Sequence, residues 1–395
     1  MSPRARRIAT TLGALLAACV TATSAFAGGA AGAATVPYEL TPSGVTSIKL
    51  TKSGADMKRI AEYWSPARLK EAQDNTPATP EVKPTGGATA APASPTPGGT
   101  GTASPASSGA EGTAATGASK TSAAKNDTLQ PVKPAPPVKK AGASGGNPIT
   151  VGKVFFRHGD KDYWCSATSV ASANRNLVAT AAHCAYDAKQ GKQAEYWIFI
   201  PGYDKGATPY GIYVGHSINL HDRFPGWGDY DYDYAFVAVH DGFRWAPGKT
   251  AGSYTMENVG SLEDNVGGQG LTVKRGIGLL TFTFGYPAAP HNDGSRPYDG
   301  RVMKRCDGRT GKRTAPARLV EYGIALTCTF TAGASGGPWL VDYDPQRALG
   351  YLNGVNSFAW DTDVNGRYDL ISSPYFTAST HVVYRWAENQ RAPKP

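Results

Sequence analysis

The stretch from Thr76 to Pro148 decides how much of this chain can fold. It consists almost wholly of Ala, Pro, Thr, Gly and Ser, with hardly an aliphatic side chain larger than alanine. Such a composition cannot bury enough apolar surface to offset the entropy lost on ordering, so residues 76–148 are expected to form a disordered linker. A packed core is therefore confined to the flanks. Most of the hydrophobic content, 41% of the 395 residues, falls after about Pro148.

The N-terminal flank divides in two. Arg4, Arg6 and Arg7 precede an apolar run from Ile8 to Val20, and small residues then lead to Ala25-Phe26-Ala27. A charged start, a short hydrophobic core and an A-x-A site predict a secretory signal over residues 1–27, too short to span a bilayer permanently. Leu16-Ala17-Ala18-Cys19 resembles a lipoprotein lipobox, which makes anchoring through Cys19 the alternative. Residues 28–75 read as a small pro-segment. Within it Met57, Ile60, Ala61 and Trp64 stand at helical spacing, and Ser65-Pro66 offers an N-cap and first-turn proline for a second short helix.

The formal net charge of +9 invites a nucleic-acid or membrane-surface partner. Basic and acidic residues nearly balance from Ile149 onward, however, so the excess belongs to the N-terminal segments. No helix carries a basic stripe, and neither nucleic-acid binding nor stable membrane insertion is expected.

From Ile149, short strand-like runs recur between Gly, Pro, Asn and Asp punctuation: Leu177 to Ala182, Tyr196 to Ile200, Tyr234 to Val239, Leu279 to Phe284 and Leu349 to Val355. Helical periodicity returns only at Ala378 to Asn389, whose residues Thr380 to Trp386 are expected to dock on the second half of the domain. About 245 residues of short strands with one closing helix predict an all-β barrel or sandwich domain over residues 149–395. Without Cys19, the cysteines are Cys165, Cys184, Cys306 and Cys328, an even number that predicts two disulfides. Three pairings are possible. The local ones are simplest, Cys165 with Cys184 across a hairpin turning at Asn174-Arg175-Asn176 and Cys306 with Cys328. No zinc-type Cys or His spacing occurs, and no metal or cofactor is predicted.

Three motifs carry chemistry. Thr331-Ala332-Gly333-Ala334-Ser335-Gly336-Gly337-Pro338-Trp339 sets a serine among glycines between two apolar runs. Glycines let the backbone turn sharply and leave N–H groups unobstructed, which suits a nucleophile beside an oxyanion hole. Val178-Ala179-Thr180-Ala181-Ala182-His183-Cys184 ends an apolar strand on a histidine, the base a serine hydroxyl needs. Asp229-Tyr230-Asp231-Tyr232-Asp233 offers three carboxylates ahead of the next strand, one of which could orient the imidazole. The alternative for that cluster is a cation-binding loop, though its spacing is not that of an EF-hand.

Thr180-Ala181-Ala182-His183-Cys184 and Gly333-Ala334-Ser335-Gly336-Gly337-Pro338, with the order His, Asp, Ser along the chain, resemble chymotrypsin/trypsin-like serine peptidases of the type secreted by actinobacteria. Glu62 to Leu69 resembles a segment of such enzymes' pro-regions. The resemblance spans roughly Ile149 to Trp386. It implies two packed six-stranded antiparallel β-barrels, with His183 and Asp233 on the first and Ser335 on the second. It further implies a secreted, monomeric serine endopeptidase acting on proteins or peptides and made as a zymogen. His183 would be the base, Asp233 its orienting acid, Ser335 the nucleophile, and the N–H groups of Gly333 and Ser335 the oxyanion hole. Asp231 is the alternative acid, since a two-residue shift keeps the side-chain direction; otherwise Asp229 and Asp231 are expected in solvent. Two rival readings are a catalytically silent binding or cell-wall-associated protein on the same fold, and an esterase.

The sequence departs from that family in places. Trypsins carry an aspartate before the serine that pairs with the new N-terminus; here it is Ala334, so latency would have to come from the pro-segment covering the cleft or from another device. The S1 floor position is Thr329, which does not support an Arg/Lys preference. Gly354 to Ala359 resembles the pocket-lining strand, with Ser357 receiving substrate backbone and Asn356 standing where glutamate-specific relatives carry a histidine. Thr329, Phe330 and Asn356 together predict a neutral P1 side chain, with ordinary core packing the alternative for Phe330.

Overall fold

A computed structural model describes residues 42–73, 129–138, 147–250 and 253–393. The signal reading at 1–27, Cys19 and most of the linker lie outside the described residues.

The first half is built from β1 (Val45–Lys49), β2 (Val151–His158), β3 (Lys161–Ser169), β4 (Leu177–Thr180), β5 (Glu195–Pro201), β6 (Tyr213–His221) and β7 (Ala235–Val239). The sheet order is β1-β6-β5-β2-β3-β4-β7, and β6 also pairs with β7, so six strands close into an antiparallel barrel. Closure depends on β6, which is long enough to pair with β5 at Tyr213 and Val214 and with β7 from Gly215 to Leu220. A register shift between Gly215 and Ser217 bends it where the partner changes. The apolar runs of β4 and β7 are buried along their whole length, as their uninterrupted hydrophobicity predicts.

β1 belongs to the stretch read as a pro-segment. It lies along β6 beyond the end of β5, with Val45 opposite His221 and Lys49 opposite Ser217, and covers an edge that would otherwise be open. The two expected helices follow. α1 (Gly54–Tyr63) is capped by Ser53, and α2 (Pro66–Ala72) by Ser65 with Pro66 in its first turn. Met57, Ile60, Ala61 and Trp64 are all buried. Trp64 packs 5.7 Å from Phe155, and its indole N–H donates to the Tyr196 carbonyl.

Two expectations are corrected here. Residues 129–138, read as linker, are docked: Val132 exchanges two backbone hydrogen bonds with Leu271, and Ala135 two with Gly268. Proline lacks an N–H, but the non-proline residues between prolines retain theirs and supply the pairing. The closing helix α3 (Ala378–Ala387) packs on β6 and β7 of the first half, not on the second. Tyr384 stands 5.6 Å from Phe236, and its hydroxyl donates to the Ala171 carbonyl at 2.7 Å.

The second half contains β8 (Leu280–Gly285), β9 (Lys304–Arg309), β10 (Ile324–Thr327), β11 (Pro338–Asp344), β12 (Leu349–Val355), β13 (Phe358–Trp360) and β14 (Leu370–Ser373). Its strands pair as two sheets, β12-β11-β8-β9 with Gly270–Leu271 beyond β12, and β10-β14-β13 with Gly311–Lys312 beyond β10. The Cys306–Cys328 disulfide ties β9 to the chain just past β10, and Cys165–Cys184 ties β3 to the turn after β4. Both local pairings are thus the observed ones.

Thr51, just past β1, anchors the N-terminal segment through a buried polar contact. Its Oγ1 lies 3.0 Å from His216 Nδ1 and 2.7 Å from His240 Nε2. Burial first, then the charge of Lys49 and the neighbouring ring, push His216 down to about 4. Burial also pushes His240 down to about 4, against the opposing pull of the Pro393 backbone and Asp241. Folded-state values below the ordinary histidine range mean that the unfolded chain binds more protons. Stability is therefore full above about pH 6.5 and lost as the pH falls from there to about 4, by roughly 3 kcal/mol per ring. Urea unfolding across this range should show the decline, and a His216→Gln, His240→Gln double variant should flatten it; an unchanged decline would assign the effect to other groups.

Candidate active site

Strand register brings His183 and Asp233 together. β4 and β7 pair antiparallel with Thr180 opposite Ala235, so the residues leaving β4 and those entering β7 share one end of the barrel. His183 sits on the short turn Ala182–Cys184, and Asp233 closes the turn Tyr230–Tyr232. Asp233 Oδ2 lies 2.9 Å from His183 Nδ1, and Oδ1 accepts the His183 backbone N–H at 2.9 Å. Asp233 is 0% exposed, a burial tolerable for a carboxylate only when donors surround it. A third donor is Ser357 Oγ, 2.5 Å from Oδ2. With Nδ1 facing a carboxylate, the ring proton belongs there, and Nε2 is left as the acceptor.

The neighbouring carboxylates have other duties. Asp229 is buried, accepts from Arg223 Nε at 2.8 Å and caps its own turn at the Asp231 N–H. Asp231 accepts the N–H groups of Glu321 at 2.8 Å and Tyr322 at 3.1 Å, joining the two halves; burial pushes its carboxyl up. Neither is a free loop residue, which corrects the expectation that both lie in solvent.

Ser335 is carried to the same end by the turn before β11. Its carbonyl accepts the Ser166 N–H at 2.8 Å, and the Gly333 carbonyl accepts Ser166 Oγ at 2.8 Å. Gly333 and Gly336 have φ of 101° and 78°. A Cβ at Gly333 would run into Trp164 and the Tyr286 carbonyl, and one at Gly336 into Thr180 and the Ser166 carbonyl, so both positions require glycine. Among the described residues no hydrogen bond joins Ser335 to His183, and the N–H groups of Gly333 and Ser335 donate to no protein group. Such a bond is often long before substrate arrives.

No family model and no curated protein matches the sequence. Solved structures do match. The chain is similar to the thermostable serine protease AL20 from an extremophilic microorganism, with 26% identity, 62% of this chain and 100% of that one covered, and a TM-score of 0.51. It is similar also to the protease Anisep from Arthrobacter nicotinovorans, with 28% identity, 62% and 99% covered, and a TM-score of 0.50. The fold is that of the chymotrypsin/trypsin-like serine proteases.

On this fold a cleft of about 870 Å³ opens beside His183, lined among others by Phe156, Tyr163, Phe224, Trp227, Tyr230 and Leu319. Residues 42–73, read as part of a pro-segment, line none of it. Beside Ser335 is a crevice of only about 10 Å³, lined by Phe330, Thr331, Phe358, Ala359 and Ile371 together with Ala334, Asn356 and Ser357. The one cluster of metal-type donors among the described residues is Cys165, His183 and Cys184, whose sulfurs are bonded to each other.

The expected specificity residues separate. Ile324, Leu326, Cys328 and Phe330 point into the core while Thr327 and Thr329 face outward, a period-two alternation that continues past β10. Thr329 is consequently exposed, bonded to the Tyr298 hydroxyl at 2.6 Å, and is not among the residues lining the crevice beside Ser335. Asn356 touches the crevice, yet its carboxamide is engaged inward with Thr283, Trp339 and Ala334. The Ser357 hydroxyl serves Asp233 and its N–H donates to the Ser372 carbonyl at 2.8 Å, which leaves only its carbonyl for a ligand. Sequence reasoning missed Ser166 and the inward role of Asn356; neither lies in a motif that marks it.

Removing the Ser357 hydroxyl takes one donor from a buried carboxylate. Ser357→Ala should destabilise the fold by about 1.5–3 kcal/mol, read from urea unfolding at pH 7, while an unchanged midpoint would show that the contact adds nothing.

Proposed function

We propose that this chain is a secreted serine endopeptidase that cleaves peptide bonds through an acyl-enzyme. The observation that carries this reading is the juxtaposition of the His183–Asp233 pair with a glycine-lined serine turn in which the Gly333 and Ser335 N–H groups donate to no protein group among the described residues. His183 Nε2 accepts the Ser335 hydroxyl proton as Oγ attacks the peptide carbonyl. The carbonyl oxygen gains negative charge and is received by the N–H groups of Gly333 and Ser335. Asp233 holds the imidazole tautomer and stabilises the imidazolium, which hands its proton to the departing amine. Water, deprotonated by His183, then attacks the acyl-enzyme and regenerates Ser335.

Secretion is supported by the signal-like residues 1–27 and by two disulfides, which persist in oxidising compartments. An open cleft beside His183 suits an extended chain passing through, hence internal cleavage. The crevice at Ser335 is about the size of one water and carries no charged side chain, which favours a small neutral P1 residue.

Profiling on a mixed peptide library should show cleavage after Ala, Gly or Ser rather than after Arg, Lys or Glu. Ser335→Ala and His183→Ala should each lose on the order of 10⁴ or more in turnover. Phe330→Ala, which enlarges the crevice, should shift P1 toward larger apolar residues. Failure of the secreted wild-type protein to cleave any peptide or to react with a fluorophosphonate would overturn the assignment, and ester turnover without peptide turnover would make it an esterase.

A further inference from the structure

Ala334 carries no polar side-chain atom, so the turn presenting Ser335 has to be held by its backbone. In a planar trans peptide, a carbonyl and the following N–H point in opposite directions, so anchoring one aims the other. The Gly333 N–H shares a peptide unit with the Ala332 carbonyl, which accepts from Ala288 N at 2.9 Å and Ala289 N at 3.2 Å. The Ser335 N–H shares one with the Ala334 carbonyl. That carbonyl accepts from Gly337 N at 3.0 Å and, as its only side-chain donor among the described residues, from Asn356 Nδ2 at 2.9 Å.

Asn356 is built to hold this position. It is 4% exposed, and its Oδ1 accepts from Trp339 Nε1 at 2.7 Å and Thr283 Oγ1 at 3.0 Å. These two donors identify which end of the carboxamide is oxygen, so the NH₂ end faces Ala334. Its backbone extends the β11–β12 ladder, with its carbonyl accepting from Gly336 N at 2.8 Å and its N–H donating to Gly337 O at 2.9 Å. Its main chain therefore grips the segment after the serine, and its side chain holds the residue before it.

We propose that Asn356 is a positioning residue that keeps the Ala334–Ser335 peptide turned so that the Ser335 N–H faces the reacting carbonyl. Without the Nδ2 donor, a rotated peptide would present a carbonyl oxygen where an oxyanion must form. The inference rests on Ser335 being the nucleophile and goes beyond it by naming what holds the oxyanion site open. Asn356 touches no reacting atom.

The test is Asn356→Asp, which keeps the size and both acceptor contacts but loses the donor and sets carboxylate oxygen against the Ala334 carbonyl. Expected is a fall in kcat of about 10²–10³, the size of losing one oxyanion donor, with KM changed no more than a few-fold. Affinity for a peptide aldehyde, whose adduct carries the oxyanion, should fall in proportion to kcat. Lowering the pH toward protonation of the introduced carboxyl should narrow the gap to wild type in kcat and aldehyde affinity together, whereas Asn356→Ala, with nothing to protonate, should keep its gap at every pH. Should this variant fail to fold by near-UV circular dichroism, Asn356→Ala removes the donor without adding charge and is read in the same way. A folded variant with kcat and aldehyde affinity within two-fold of wild type would sink the inference alone. Absence of fluorophosphonate labelling in the wild-type protein would instead remove the reading of Ser335 on which it rests.

Discussion

A carboxylate with no exposed surface has to be met by donors on every side, and Asp233 is met from both halves of the molecule. His183 supplies a backbone and a ring N–H from the first barrel, and Ser357 a hydroxyl from the second half. Leaving such a group short of partners costs several kcal/mol, so the halves cannot separate, or the turn after β4 move, without exposing that cost. The same contact sets the imidazole tautomer. Fold and chemistry thus share one buried charge.

The facing side is held differently, by neutral hydrogen bonds. Ser166, next to a disulfide cysteine on β3, reaches across with its N–H and hydroxyl to the carbonyls of Ser335 and Gly333. Ala288, Ala289 and Asn356 engage the carbonyls of Ala332 and Ala334. The carbonyls from Ala332 to Ser335 are thus all occupied, while the N–H groups of Gly333 and Ser335 donate to no protein group among the described residues. Positive φ at Gly333 and Gly336 makes this packing possible where any side chain would collide.

The N-terminal segment changes what counts as the domain. Residues 42–73 add a strand to β6 and bury Trp64, while residues 129–138 pair with Gly268 and Leu271. Composition could not reveal the second contact, because a proline-rich segment contributes hydrogen bonds only from the residues between its prolines, and their partner is defined by the fold. The helices at 54–63 and 66–72 were legible because their caps and spacing are local.

Local chemistry wrote much of this protein into its sequence. Apolar runs made the strands of the first barrel, cysteine spacing matched both disulfides, and glycines around Ser335 marked a turn no other residue could make. The choice of Asp233 over Asp229 and Asp231 came from the resemblance of its motif, and the register of β4 with β7 is what brings it to His183. Tertiary structure alone decided the rest. Thr329 faces solvent, Asn356 turns inward, Ser357 serves a carboxylate, and α3 settles on the first barrel. Each of these depends on which distant residue arrives opposite, and a hydrogen-bond partner a hundred residues away leaves no periodicity or spacing in the sequence to read.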